Sequence, residues 1–131
     1  MRGVILTVAV MAVAAAATPA AHHSYAAFDR TRELTLSGVV KEFQWNNPHA
    51  WIQIVVADAR GRQTEWGLEC GSPNMMARTG WKRTTLKPGD KVVVVLHPLK
   101  SGATNGSLVR ITLPDGKVLG PGDAPAPLPI G

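Results

Sequence analysis

Between Leu34 and Leu119 the β-branched and aromatic residues fall into five short runs broken by turn signals, with a single helix signal between the third and fourth runs. The order of these elements restricts the fold more than any other feature of the chain. Leu34 to Trp45 alternates roughly between apolar and polar residues, as a long half-buried strand does. Gly38 inside it predicts a bulge or bend that lets one strand serve two sheet faces. Asn46-Asn47-Pro48 is a turn signal, and Trp51 to Ala57 reads as the second strand. Asp58 to Gly61 is a hairpin turn, and Gln63 to Cys70 returns as the third strand. There Trp66, Leu68 and Cys70 share the face expected to point inward, while Glu65 and Glu69 share the other.

Ser72 is placed to cap a short helix, Asn74 to about Gly80, with Pro73 at the first helical position. Leu86 to Asp90 is a tight turn into Lys91 to Leu99, whose Val92 to Leu96 run suits a strand buried on both faces. Ser107 to Leu113 is the fifth strand, and Pro114 to Gly116 turns back into a short extension ending at Leu119. Three strands, one short helix and two strands predict an all-β fold, a five-stranded OB-like Greek-key barrel with its helix between strands 3 and 4. An open β-sandwich needs more strands and turns than this chain supplies.

Outside this region the composition changes. Met1-Arg2-Gly3 is a short positive start, Val4 to Ala17 is small and apolar, and Thr18-Pro19-Ala20 closes with small residues. Residues 1–20 therefore read as a secretory signal peptide, too short for a membrane span, and no further transmembrane segment is expected after its removal. Residues 21–33 form a lead-in segment, 34–119 the barrel, and 120–131 a proline-rich tail expected to be extended and mobile. The expected location is a bacterial periplasm or the exterior. Cys70 is the single cysteine, so no disulfide can form within one chain and the apolar core must hold the fold. A net charge of +5, one unit less once Arg2 leaves, with no block of consecutive Lys or Arg, argues against a nucleic-acid partner.

Signal removal would create a new amino terminus beside adjacent histidines. Cleavage after Ala20 starts the mature chain at Ala21-His22-His23. The amine, two deprotonated amides and the His23 imidazole can then surround Cu(II) or Ni(II) in a square plane. Cleavage after Ala21 instead makes His22 terminal, where its amine and ring could clamp copper together with a second imidazole. Small-residue preferences favour the first cut. His49 is the further metal candidate. It follows a turn and lies between Trp45 and Trp51, so Trp45, Asn47, His49 and Trp51 also make a candidate ligand-binding loop. Against this, His49 could simply cap its own turn while the tryptophans fill the barrel.

His97, preceding Pro98 in the most apolar strand, reads as a satisfied strand-end histidine. Cys70, Met75 and Met76 could supply soft sulfur to Cu(I), but their positions read as core. No nucleophile elbow, zinc-protease helix or paired-carboxylate motif points to an enzyme. Glu65 and Glu69 share a strand face with no acid–base partner evident.

The segments Ala21-His22-His23-Ser24, Asn47-Pro48-His49 with Trp51, Gly71-Ser72-Pro73-Asn74, Gly80-Trp81 and Leu86-Lys87-Pro88-Gly89-Asp90 together resemble a family of small exported bacterial proteins labelled only as a domain of unknown function. The resemblance spans about Ala21 to Leu119 and implies an envelope location and a small β-barrel; it implies no activity. The expectation is an exported binding protein taking copper or a related divalent metal at its terminus with help from His49. The alternatives are an envelope OB-type module for a small molecule or partner protein and, behind it, a metal-dependent enzyme.

Overall fold

The computed structural model describes residues 26–122. The expected signal peptide, the terminal pair His22-His23 and tail residues 123–131 lie outside that range. The strands are β1 (Leu34–Gln44), β2 (Trp51–Ala57), β3 (Gln63–Glu69), β4 (Lys91–Pro98), β5 (Asn105–Thr112) and β6 (Val118–Leu119). A short helix, α1 (Pro73–Arg78), falls between β3 and β4. The sheet order is β3-β2-β1-β4-β5-β6, and β3 also pairs with β5, so the first five strands close into a barrel. All neighbours are antiparallel except the closing pair, where Gly67 to Glu69 run parallel to Asn105 to Ser107. This is the all-β OB-type barrel that the order of elements predicts.

Closure depends on β1. Residues Leu34 to Val39 pair with β4, and Val39 to Gln44 pair with β2, so the strand passes from one neighbour to the other at Val39. The irregularity in register lies between Val40 and Glu42, not at Gly38. Gly38 matters for a different reason: a Cβ there would come within 2.9 Å of the Val55 carbonyl oxygen. Glycine therefore permits close approach of two strands, while Lys41 takes up the extra residue of the bulge.

Alternation places Val40, Ile52, Ile54, Leu68, Val94, Leu96, Leu108 and Ile111 in one buried core. β4 departs from the expected burial on both faces, because Val93 is 39% exposed. Its outer surface borders an open groove. The helix is six residues long, capped by Ser72, whose hydroxyl accepts from the Met75 amide at 3.4 Å, and Gly80 follows it at φ +100°. Successive helical side chains point about 100° apart, so a single turn cannot bury both of its methionines. Met76 is fully buried and Met75, expected in the core, faces solvent.

The four tryptophans divide similarly. Trp81 is buried, its Nε1–H donating to the Gly120 carbonyl at 2.9 Å, while Trp45, Trp51 and Trp66 are half-buried. Gly120 is also where the tail was expected to begin, yet Gly120 to Gly122 still belong to the packed body. The Gly71 amide donates to the Pro121 carbonyl at 2.8 Å, and Gly122 lies against Met76. Among the described residues no helix is long and apolar enough to cross a membrane.

Candidate functional site

The hairpin β2–β3 builds the site. Counting back from its turn, Ala57 faces Gln63 and Trp51 faces Glu69. Two further backbone bonds extend the pairing past the strand ends: the Ala50 amide donates to the Gly71 carbonyl at 3.0 Å and the Cys70 amide to the Ala50 carbonyl at 2.9 Å. His49 therefore emerges at the rim of the barrel beside the end of β3. Its Nδ1 lies 3.0 Å from the Cys70 carbonyl oxygen. A carbonyl oxygen can only accept, so Nδ1 carries the hydrogen and the tautomer of the neutral ring is determined. Nε2 lies 3.6 Å from the Glu69 carboxylate oxygen Oε1.

His49 does not cap its own turn. It ties the β1–β2 loop to the third strand, 21 residues further along the chain. The side chains of His49 and Glu69 are 37% and 14% exposed, so the imidazole reaches solvent while the carboxylate is largely withdrawn from it. Glu65, on the same strand face, has a different partner, the exposed ammonium of Lys41. The two glutamates are thus not an acid–base pair with each other.

The remaining expected residues are only partly gathered. Trp51 opens β2 as the cross-strand neighbour of both Gln44 and Glu69, which places it beside the imidazole–carboxylate pair. Trp45 packs edge-on against Phe43, ring centroids 5.7 Å apart, and contributes to the core. Asn47 is exposed in the turn. His97 is satisfied elsewhere, its Nδ1 facing the Arg32 carbonyl at 2.9 Å. Cys70 is buried, which suits a core side chain. Ala21, His22 and His23 lie outside the described residues. Among the described residues no group of three or more His, Cys, Asp or Glu side chains stands together.

For Glu69 the sequence pattern shows the carboxylate and its strand face but not its neighbour His49. The signal was available in the hairpin register, since the Asp58 to Arg62 turn, once counted back, brings position 69 opposite position 51. A separate feature lies elsewhere on the barrel wall. An open groove of about 870 Å³ is lined by Val39, Val55, Val93 and Leu113, with Lys41 and Lys91 at its margin. None of Trp45, Asn47, His49 or Trp51 lines it.

Fold and site together define a class: a small OB-type barrel with a histidine–carboxylate corner where the β1–β2 loop meets the end of β3. Within that class the chain belongs to the family described as "Family of unknown function (DUF6152)", whose model matches residues 8–109. No curated protein and no solved structure matches it.

Proposed function

We propose that the protein is exported to the bacterial periplasm, or beyond it, and acts there as a small metal-binding protein. Its ligand is copper or a related divalent ion such as nickel, held by the mature amino terminus (Ala21, His22, His23) with His49 as an additional donor. The observation that carries this reading is the orientation of His49. A ring nitrogen bonded to a backbone carbonyl is the usual outer support of a metal-ligating histidine, fixing the tautomer and presenting the second nitrogen. The described chain also begins near the barrel, because Phe28 bridges to Leu99 and the Lys100 amide donates to the Ala27 carbonyl.

The test is expression with the native leader, identification of the new terminus by mass spectrometry, and titration with Cu(II). A square-planar nitrogen spectrum with tight binding that disappears in His23→Ala supports the terminal chelate. Loss confined to His49→Ala moves the site to the loop, and weak binding unaltered in both variants rejects the proposal. The groove bounded by Val39 and Val93 supports a second reading, an envelope module for a small molecule or partner protein. That reading gains ground if Val93→Asp abolishes capture of an envelope component while copper affinity is unchanged.

A further inference from the structure

We infer that β1 offers an open strand edge, and that residues 124–130 of a second copy of this chain fill it, so that two copies exchange their C-terminal segments. The inference uses the groove of the second reading above, with the chain itself in place of an envelope component, and it is independent of copper. The Val40 amide donates to the Asp90 carbonyl at 2.8 Å, so the main-chain groups of Val40, Gly38, Leu36 and Leu34 point toward β4. Those of Val39, Ser37 and Thr35 point the other way. Val39 pairs there with Val55, but β2 then diverges, and Ser37 and Thr35 have no backbone partner on that side among the described residues. Across the fork Ala57, two residues beyond Val55, is likewise unpaired on the side that faces β1. Ser37, Thr35 and Ala57 are all exposed, and the apolar groove lies in the fork, with Ser37, Gly38, Val39, Val55 and Ala57 in its lining.

An unpaired edge is a template for another strand, and the C-terminal sequence has the pattern of one. Pro125, Pro127 and Pro129 alternate with Ala124, Ala126, Leu128 and Ile130. Successive main-chain groups of an extended strand point to opposite sides, so the four amides would share one edge and the three prolines the other. Such a segment can pair once, and its proline edge stops further strands from adding. Its side chains are apolar, as is the floor formed by Val39, Val55 and Leu113, and the adjoining Asp123 is opposite in charge to Lys91 at the margin. Reach selects the second copy. Pro121 is fixed beside Gly71, which pairs with Ala50 at the start of β2, whereas the fork opens at Ala57 at the far end of that strand, about 20 Å away. At no more than about 3.6 Å per residue, Ala124 is at most about 7 Å from Gly122, and Ala126 at most about 14 Å. Neither reaches the fork of its own barrel, so pairing through all four amides needs another copy, and reciprocal exchange closes a dimer.

The experiment uses the full mature chain. Sedimentation should show a concentration-dependent dimer, and amide exchange at Thr35 and Ser37 should slow at least about tenfold on dimerisation. Ala126→Pro combined with Leu128→Pro removes two pairing amides beyond Gly122, so the chain should become monomeric with its urea midpoint unchanged. Ser37→Pro tests the receiving edge and should also give a monomer, since the Ser37 amide points away from β4 and proline is tolerated on a strand edge. Should that variant fold poorly, a synthetic peptide of residues 122–131 tests the same edge in the parent. It should dissociate the dimer while keeping Thr35 and Ser37 protected, and the peptide carrying both proline substitutions should do neither. A parent that stays monomeric, a dimer that survives the tail prolines, or protection of Thr35 and Ser37 within a monomer overturns the inference. Cu(II) affinity is read on the parent and the tail variant and should be the same in both, so failure of the metal reading and failure of strand exchange are distinguishable.

Discussion

At the scale of single residues, Trp81 shows how one side chain connects distant parts of the chain. Its ring is buried against Phe43, centroids 5.6 Å apart, and its N–H is spent on Gly120, 39 residues later. Trp81→Phe keeps most of the apolar surface and removes the donor, leaving a buried carbonyl unpaired. The expected loss is about 1–3 kcal/mol in urea unfolding, whereas Trp81→Ala should lose about 3–5 kcal/mol because a cavity is added. A phenylalanine variant as unstable as the alanine variant would show that shape, not the hydrogen bond, governs the site. The histidine–glutamate corner illustrates what residue-level reading could not supply. His49 was identifiable from its neighbours Pro48 and Trp51. Glu69 was not, because its contact with His49 depends on hairpin register, and alternation along β3 reports only that it faces outward.

At the scale of elements, local chemistry accounts for most of what is observed. The strand runs, the Ser72 cap and the hairpin turn were all legible, since each depends on residues within a few positions. Of the bulge or bend expected at Gly38, the change of sheet partner falls beside it at Val39 and the bulge falls at Lys41, because a glycine marks either a bulge or a close approach and only the facing strand decides which. The β2–β3 turn carries a pH prediction. Asp58 Oδ1 accepts from the Arg62 and Arg60 amides at 2.9 and 2.8 Å, and Oδ2 from the Arg62 guanidinium at 3.1 Å. The Arg62 amide is the largest cause holding the Asp58 carboxyl below its ordinary value, against the smaller opposing effect of desolvation. A carboxyl lowered in the folded chain contributes stability above its unfolded value and loses it as pH falls through the folded one. Amide exchange at Arg60 and Arg62 should therefore accelerate, relative to intrinsic rates, as pH drops from about 5 to about 2. Asp58→Asn should flatten that dependence. An unchanged profile in the asparagine variant would remove Asp58 as its source.

The barrel as a whole is closed by a seam of three parallel residue pairs. Gly67 on β3 admits it, since a Cβ there would collide with the Asn105 side chain on β5, whereas Gly106 on β5 admits the antiparallel pairing with β4. A Cβ at Gly106 would approach the His97 carbonyl oxygen to 2.8 Å and press on Leu96. Gly106→Ala should therefore cost about 1–3 kcal/mol, read as a lower urea midpoint, with protection lost first where Leu96 to Pro98 pair with Gly106 to Leu108. Greek-key order was legible from the succession of elements, but the seam was not, since pairing between residues as far apart as Gly67 and Asn105 leaves no local periodicity.

The C-terminal residues Gly120 to Gly122 reinforce the same body, and composition hid this because glycine and proline signal a loose tail. Their backbone carbonyls, not their side chains, do the binding: Gly120 accepts from Trp81 and Pro121 from the Gly71 amide. Gly71 is also the residue whose carbonyl accepts from the Ala50 amide, so the C-terminal strap braces the frame that orients His49. Two truncations separate this role from that of residues 123–131. Ending the chain after Gly122 keeps both acceptors, and ending it after Leu119 removes both and leaves two donors without partners. The shorter chain should be less stable than the longer by about 2–4 kcal/mol in urea unfolding. It should also show faster amide exchange at Gly71 and Ala50 than the rest of β2. Equal midpoints for the two truncations would mean that water replaces the strap without cost, and the His49 corner would then be held by β2 and β3 alone.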